Sequence, residues 1–139
     1  MLVIDDNPAD VCLLKMAVYS VGVPNLKVIT DNGSTALELC SSAGSHPNNA
    51  VPDVVFLDLN LGQLSGFDVL ECIRQNPHLD STAVVIVSGS EHPKDIALSY
   101  QLNANAYMLK ADNIEHWFQH IHAALKFWLL VRPNGINGG

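Results

Sequence analysis

The chain has 139 residues, 48% of them hydrophobic, which is the size and make-up of one ordinary domain able to bury a core without staples. The three cysteines, Cys12, Cys40 and Cys72, all fall in segments with helical spacing, and an odd count without a leader argues against a disulfide framework and for a reduced, cytoplasmic setting. A net charge of −7 with only seven scattered basic residues argues against nucleic-acid binding, and no apolar stretch is long enough to span a bilayer.

The first apolar run, Leu2 to Ile4, reads as a short strand with the pair Asp5-Asp6 at its carboxyl end. Asn7-Pro8 then supplies a capping side chain and a proline, whose missing amide is harmless in a first helical turn. Val11, Leu14, Val18 and Val21 follow at helical spacing. A second β-branched run covers Leu26 to Thr30, and the small, polar stretch from Gly44 to Pro52 is expected to be an exposed connection.

The third run, Val54 to Leu57, is closed by Asp58 and followed by Leu59-Asn60-Leu61-Gly62. Val69, Leu70 and Ile73 again have helical spacing. The fourth run, Ala83 to Val87, ends at Ser88, and the fifth, Ala106 to Leu109, ends at Lys110. Asp112 and Glu115 have the spacing of a capping box, ahead of a stripe formed by Ile114, Trp117, Phe118, Ile121, Leu125, Trp128 and Leu129. Residues 1–130 therefore read as one domain and 131–139, rich in glycine and asparagine, as a loose tail.

Five β-α repeats favour a doubly wound parallel sheet, because each parallel crossover is long enough to carry a helix. In open sheets of this class chemistry sits at the carboxyl ends of the strands. If the strand order is 2-1-3-4-5, strands one and three are neighbours and Asp5-Asp6 would lie beside Asp58. Charges about 4 Å apart repel by roughly 4 kcal/mol at an effective dielectric of about 20, so three carboxylates there require a cation. Magnesium, a hard ion held by oxygens, meets that demand. Ser88 and Lys110 would reach the same mouth, and a divalent cation, a hydroxyl and an ammonium around one carboxylate can neutralise a phosphoryl group during in-line transfer. Asp58 is then the nucleophile. Taken singly, each residue has a plain alternative: a solvated turn for Asp5-Asp6, a loop carboxylate for Asp58, a strand-end hydroxyl for Ser88, a surface amine for Lys110.

The ordered set Asp5-Asp6, Asp58, Ser88, Tyr107 and Lys110 over five β-α units resembles the CheY-like receiver domain of two-component response regulators. The resemblance implies a flavodoxin-like fold with the strand order 2-1-3-4-5 and five flanking helices. It implies phosphorylation of Asp58 by a sensor histidine kinase, and Mg2+ ligated by Asp6, Asp58 and the backbone carbonyl of Asn60, with Asp5 acting through water. It further implies that Ser88 hydrogen-bonds the phosphoryl group, that Tyr107 turns inward on activation and that Lys110 pairs with the phosphate.

Asn32-Gly33 through Leu37, Asp58-Leu59-Asn60-Leu61, Ser99-Tyr100 through Lys110 and Phe127-Trp128-Leu129 look like the small receivers that serve bacterial phytochromes. Those are single-domain proteins, and the resemblance implies a homodimer through the face of helix 4, strand 5 and helix 5. Gly62 and Ala111 depart from the family's usual prolines. A cis bond to alanine costs about 2.5 to 4 kcal/mol, so a trans Lys110-Ala111 linkage is expected and the placement of Lys110 is the point in question. If Lys110 were displaced, the chain would be a degenerate receiver acting as a constitutive binding module. An aspartate-nucleophile phosphatase is disfavoured because Asn60, not an acid, stands two residues after Asp58. His116 and His120 have a metal-chelating spacing, but the apolar residues around them assign the pair to a solvated or partner-facing side.

Overall fold

The computed structural model describes residues 1–22, 27–29, 33–45, 51–62, 64–110 and 113–130. In chain order these form β1 (Leu2–Ile4), α1 (Pro8–Val21), β2 (Lys27–Ile29), α2 (Ser34–Ser42), β3 (Val54–Asp58), β4 (Asn60–Leu61), β5 (Leu64–Ser65), α3 (Gly66–Gln75), a single 3-10 turn (Pro77–Leu79), β6 (Ala83–Ser88), α4 (Pro93–Gln101), β7 (Ala106–Leu109) and α5 (Ile114–Leu130). The main sheet runs β2-β1-β3-β6-β7 and is wholly parallel. Counting only its own members, that is the expected 2-1-3-4-5. The antiparallel pair β4-β5 is an addition that the hydrophobic pattern does not foretell.

Every residue of β1, β3 and β6 is buried, as befits strands covered on both faces. The alternation survives inside the uniform burial. Leu2, Ile4, Val55, Leu57, Val84 and Ile86 meet Ala36 and Cys40 of α2 and Val69, Leu70 and Ile73 of α3. Val3, Val54, Phe56, Val85 and Val87 point the other way, onto Leu14, Ala17 and Val18 of α1 and Trp117, Ile121 and Leu125 of α5. Fully burying one such side chain contributes roughly 1.5–3 kcal/mol, so these two clusters fix the sheet between its helix layers.

The helix ends follow local chemistry. The Asn7 side chain accepts from the N–H groups of Ala9 and Asp10, with Pro8 in the first turn, as expected. α1 stops where Gly22 takes φ 81°, a left-handed conformation, and donates its N–H to Val18. Two expectations for α5 need correction. Its capping side chain is that of Asn113, which accepts from the N–H groups of Glu115 and His116; Asp112 lies outside the described residues. Ile114, the first residue of the helix, is 73% exposed rather than part of the buried stripe. Trp117, Ile121 and Leu125 form the buried stripe, flanked by half-buried Phe118 and Trp128. His116 and His120 are exposed, as expected.

The ends of the second run at Leu26 and Thr30, Ala111 and its linkage to Lys110, and the tail 131–139 also lie outside the described residues. No helix among the described residues is long and apolar enough to cross a membrane.

Cys12 is exposed, whereas Cys40 is buried under α3 and desolvation, with a smaller contribution from Cys72, pushes its thiol up to about 12. A thiolate is the species that alkylates, so iodoacetamide at pH 8 should label Cys12 in the native protein and spare Cys40 until the chain is unfolded, as peptide mass mapping would show.

Candidate functional site

Because β1, β3, β6 and β7 run parallel, their carboxyl ends open together into one cleft of about 650 Å³. Asp6, Asp58, Asn60, Ser88 and Lys110 line it. Register explains the convergence. Ile4 pairs with Leu57, so the residues that follow, Asp5-Asp6 and Asp58, emerge side by side, and Asp58 is opposite Val87, which brings Ser88 to the same rim. The Lys110 N–H donates to the Ser88 carbonyl at 2.9 Å, which pins the end of β7 against the end of β6.

Asp5, Asp6 and Asp58 each present a carboxylate oxygen within 4.8 Å of the others. Asp5 and Asp58 are buried and Asp6 is half-buried. Such a set of hard oxygen donors suits a divalent cation of the magnesium type. Asp58 is held in place by the N–H of Asn60, which donates to its Oδ1 at 3.1 Å, and Asp5 by the N–H of Asn7 at 2.9 Å. Asp5 is not among the residues that line the cleft.

Lys110 reaches Asp58. Its ammonium lies 3.3 Å from Asp58 Oδ2, 3.4 Å from Asp5 Oδ2 and 2.5 Å from Asp10 Oδ2. The premise of a degenerate receiver, a displaced lysine, is therefore not met. Burial works to lower the Lys110 pKa, but the hydrogen bond to Asp10 and the fields of Asp5, Asp58 and Asp10 outweigh it and raise the pKa, so the group stays charged. Asp5 moves in the unfavourable direction for a carboxylate. Desolvation first, and the neighbouring Asp58 and Asp10 charges after it, push it up to about 7 against the pull of the Asn7 N–H and Lys110.

Several residues at the site carry no signal in the sequence pattern. Asp10 looks like an ordinary acidic residue in a first helical turn, yet it makes the shortest contact to Lys110. Ser90 and Asp95, which also line the cleft, are joined by a 2.5 Å hydrogen bond from the serine hydroxyl. Ser90 donates its N–H to Ser88 Oγ at 3.1 Å and accepts from the Tyr107 hydroxyl at 2.8 Å. Tyr107 is half-buried, and its N–H donates to the Tyr100 hydroxyl.

Gly66 is required by the same loop. A Cβ there would stand 2.2 Å from the Asp58 carbonyl oxygen and 2.6 Å from Leu59 Cα, while its own N–H donates to the Leu59 carbonyl at 2.8 Å.

A family model for the response regulator receiver domain matches residues 1–122. The chain belongs to that family. Among curated relatives, this receiver is 30% identical over 129 residues to the response regulator Rcp1 of Synechocystis, covering 93% of this chain and 88% of that one. Among solved structures, the phosphorylated cyanobacterial phytochrome response regulator RcpA matches with a TM-score of 0.83 and 33% identity, over 92% of this receiver and 91% of RcpA. The Mn2+-bound form of Rcp1 matches with a TM-score of 0.82 and 30% identity, over 94% of each chain. This receiver is a phosphoacceptor response regulator of two-component signalling, a family whose partner class is the histidine kinase.

Two substitutions probe the geometry. Gly66→Ala has only backbone to push against, and overpacking of that kind costs roughly 1–3 kcal/mol, so its urea midpoint should fall by a corresponding amount. Asp5→Asn keeps the acceptor for the Asn7 N–H and removes the charge. The folded pKa of Asp5 is raised above its unfolded value, so the stability its neutral form contributes is complete below about pH 4 and is lost as pH rises through 7. In chelator-treated protein the variant should match wild type near pH 4 and exceed it by roughly 2–4 kcal/mol at pH 7.5, measured by denaturant unfolding.

Proposed function

We propose that Asp58 accepts a phosphoryl group from the phosphohistidine of a sensor kinase, with Mg2+ held by Asp6, Asp58 and the backbone carbonyl of Asn60, and Asp5 acting through water. The observation that carries this is the convergence of Asp6, Asp58 and the Lys110 ammonium on one cleft, with the Asp5 carboxylate within 4.8 Å of the other two. Bound there, the cation would neutralise charge on the phosphoryl oxygens.

The protein's own groups do the rest. A carboxylate oxygen of Asp58 forms the new bond to phosphorus as the bond to the kinase imidazole nitrogen breaks, and the electron pair stays on the imidazole. The three ammonium protons of Lys110 turn toward the phosphoryl oxygens. Ser88 Oγ accepts from Ser90, which leaves its own proton to donate to the phosphoryl group. Movement of Ser88 loosens the loop through Ser90, and Tyr107, released from the Ser90 carbonyl, turns inward. No separate substrate is turned over: the chain acts on its own phosphoryl group only.

The readout is the face built from α4, β7 and α5, where Leu98, Tyr100, Leu109 and Phe127 are exposed. Apolar residues grouped there suit a second copy of the chain better than solvent. The likeness to Rcp1 and RcpA supports a phytochrome-type kinase as the donor.

Radiolabel from a cognate kinase, with Mg2+, should appear on wild type and vanish with chelator or with Asp58→Asn. Lys110→Ala should lower the initial rate about 10²-fold, the usual effect of losing one group that stabilises transferring charge. Label retained by Asp58→Asn would remove Asp58 from the role.

A further inference from the structure

Lys110 has three ammonium protons and three carboxylate neighbours, and the shortest contact is to the residue outside the metal-suited cluster. Asp10 belongs to the first turn of α1, whose backbone is fixed by the cap: the Asp10 N–H donates to Asn7 Oδ1 at 3.2 Å, and the Val11 N–H to the Asn7 carbonyl at 3.0 Å. Its carboxylate therefore projects from a rigid turn beginning directly after Asp5-Asp6.

We propose that Asp10 is a positioning residue that restrains Lys110, holding the ammonium against α1 until a phosphoryl group on Asp58 draws it away. This rests on the phosphoacceptor role of Asp58. The three carboxylates differ in what phosphorylation does to them. Asp58 becomes an acyl phosphate and gives up its own charge to the phosphoryl oxygens. Asp5 is among the oxygens available to a cation. Asp10 alone is outside that cluster, on a side chain 21% exposed against 3% for Asp5 and 6% for Asp58, and it competes for Lys110 in every state of the cycle.

A phosphoryl group must therefore recruit Lys110 against a standing partner at 2.5 Å. The restraint sets how readily the lysine leaves. It lowers the affinity of the site for phosphoryl groups while keeping the ammonium within reach of Asp58. A purely orienting role for Asp10 has the opposite sign, since losing it would weaken phosphoryl binding.

The test is beryllofluoride binding to the full chain in the presence of Mg2+, titrated calorimetrically for wild type, Asp10→Asn, Lys110→Ala and the double variant. Asp10→Asn should bind about tenfold more tightly than wild type, a coupling of ordinary size for neighbouring charges. In the Lys110→Ala background the same substitution should change little, because the effect acts through the lysine. Asp10→Ser provides a second variant with the same expected direction, and the unfolding midpoint of each verifies that the turn is intact. Unchanged or weaker binding by both folded Asp10 variants would overturn the restraint. So would an equal gain without Lys110, which is what a simple change of field would produce. Should wild type itself bind no beryllofluoride with Mg2+, the phosphoacceptor role falls and the restraint with it.

Discussion

Mutual repulsion of carboxylates gathered at the ends of parallel strands is the constraint on which this protein is built. Asp5, Asp6 and Asp58 are close enough that each pair of full charges opposes folding by roughly 4 kcal/mol before compensation. Burial adds to that cost: the upward shift of Asp5 comes first from desolvation and only after it from the Asp58 and Asp10 charges. Lys110 compensates only in part, since it is shared among Asp5, Asp10 and Asp58. The remainder is borne by the apolar clusters above and below the sheet, which hold the strand ends in register whatever the charges there prefer. A site left short of positive charge in this way is suited to a cation and to the reaction the cation assists.

The same register connects the cleft to the surface. From Ser88 a run of hydrogen bonds passes through Ser90 and Tyr107 to Tyr100, which is 48% exposed on α4. Its middle member is on β7, the edge strand of the sheet, where Tyr107 is only half-buried and has somewhere to move. The opposite end of the sheet is rigid by contrast. Arg74 donates to the carbonyls of Leu79, Thr82 and Asn103 and to the Asn105 side chain, which in turn accepts from the Val84 N–H. Several loops on that side are fastened by one half-buried guanidinium, while Ser88, Ser90 and Tyr107 on the cleft side are joined to one another by single hydrogen bonds.

Much of the site could be read from residue order. Asp5-Asp6, Asp58, Ser88 and Lys110 each close an apolar run, and a strand end is a local feature that sequence reports well. Asn7-Pro8 announced its helix for the same reason. What escaped notice lacks periodicity. Asn60-Leu61 and Leu64-Ser65 are two-residue strands, too short for alternation to register, and Gly66, directly after them, lies where a Cβ would meet the Asp58 carbonyl. Asp10 had a sufficient explanation in the first turn of α1, and its partner lies far along the chain. The spacing of Asp112 to Glu115 fits a capping motif, but the cap depends on where the helix begins, and there the Asn113 side chain accepts from Glu115 and His116.

By itself the sequence determined the β-α alternation, the apolar clusters that follow from it and the identity of the residues at each strand end, because all three depend on neighbours within a few positions. Whether Lys110, followed by alanine, could still reach Asp58 was decided only by the tertiary structure. That distance is set by the Ser88 carbonyl that receives the Lys110 N–H and by the carboxylates that surround its ammonium. Electrostatic attraction among groups from β1, α1, β3 and β7 exists only once the sheet has placed them together.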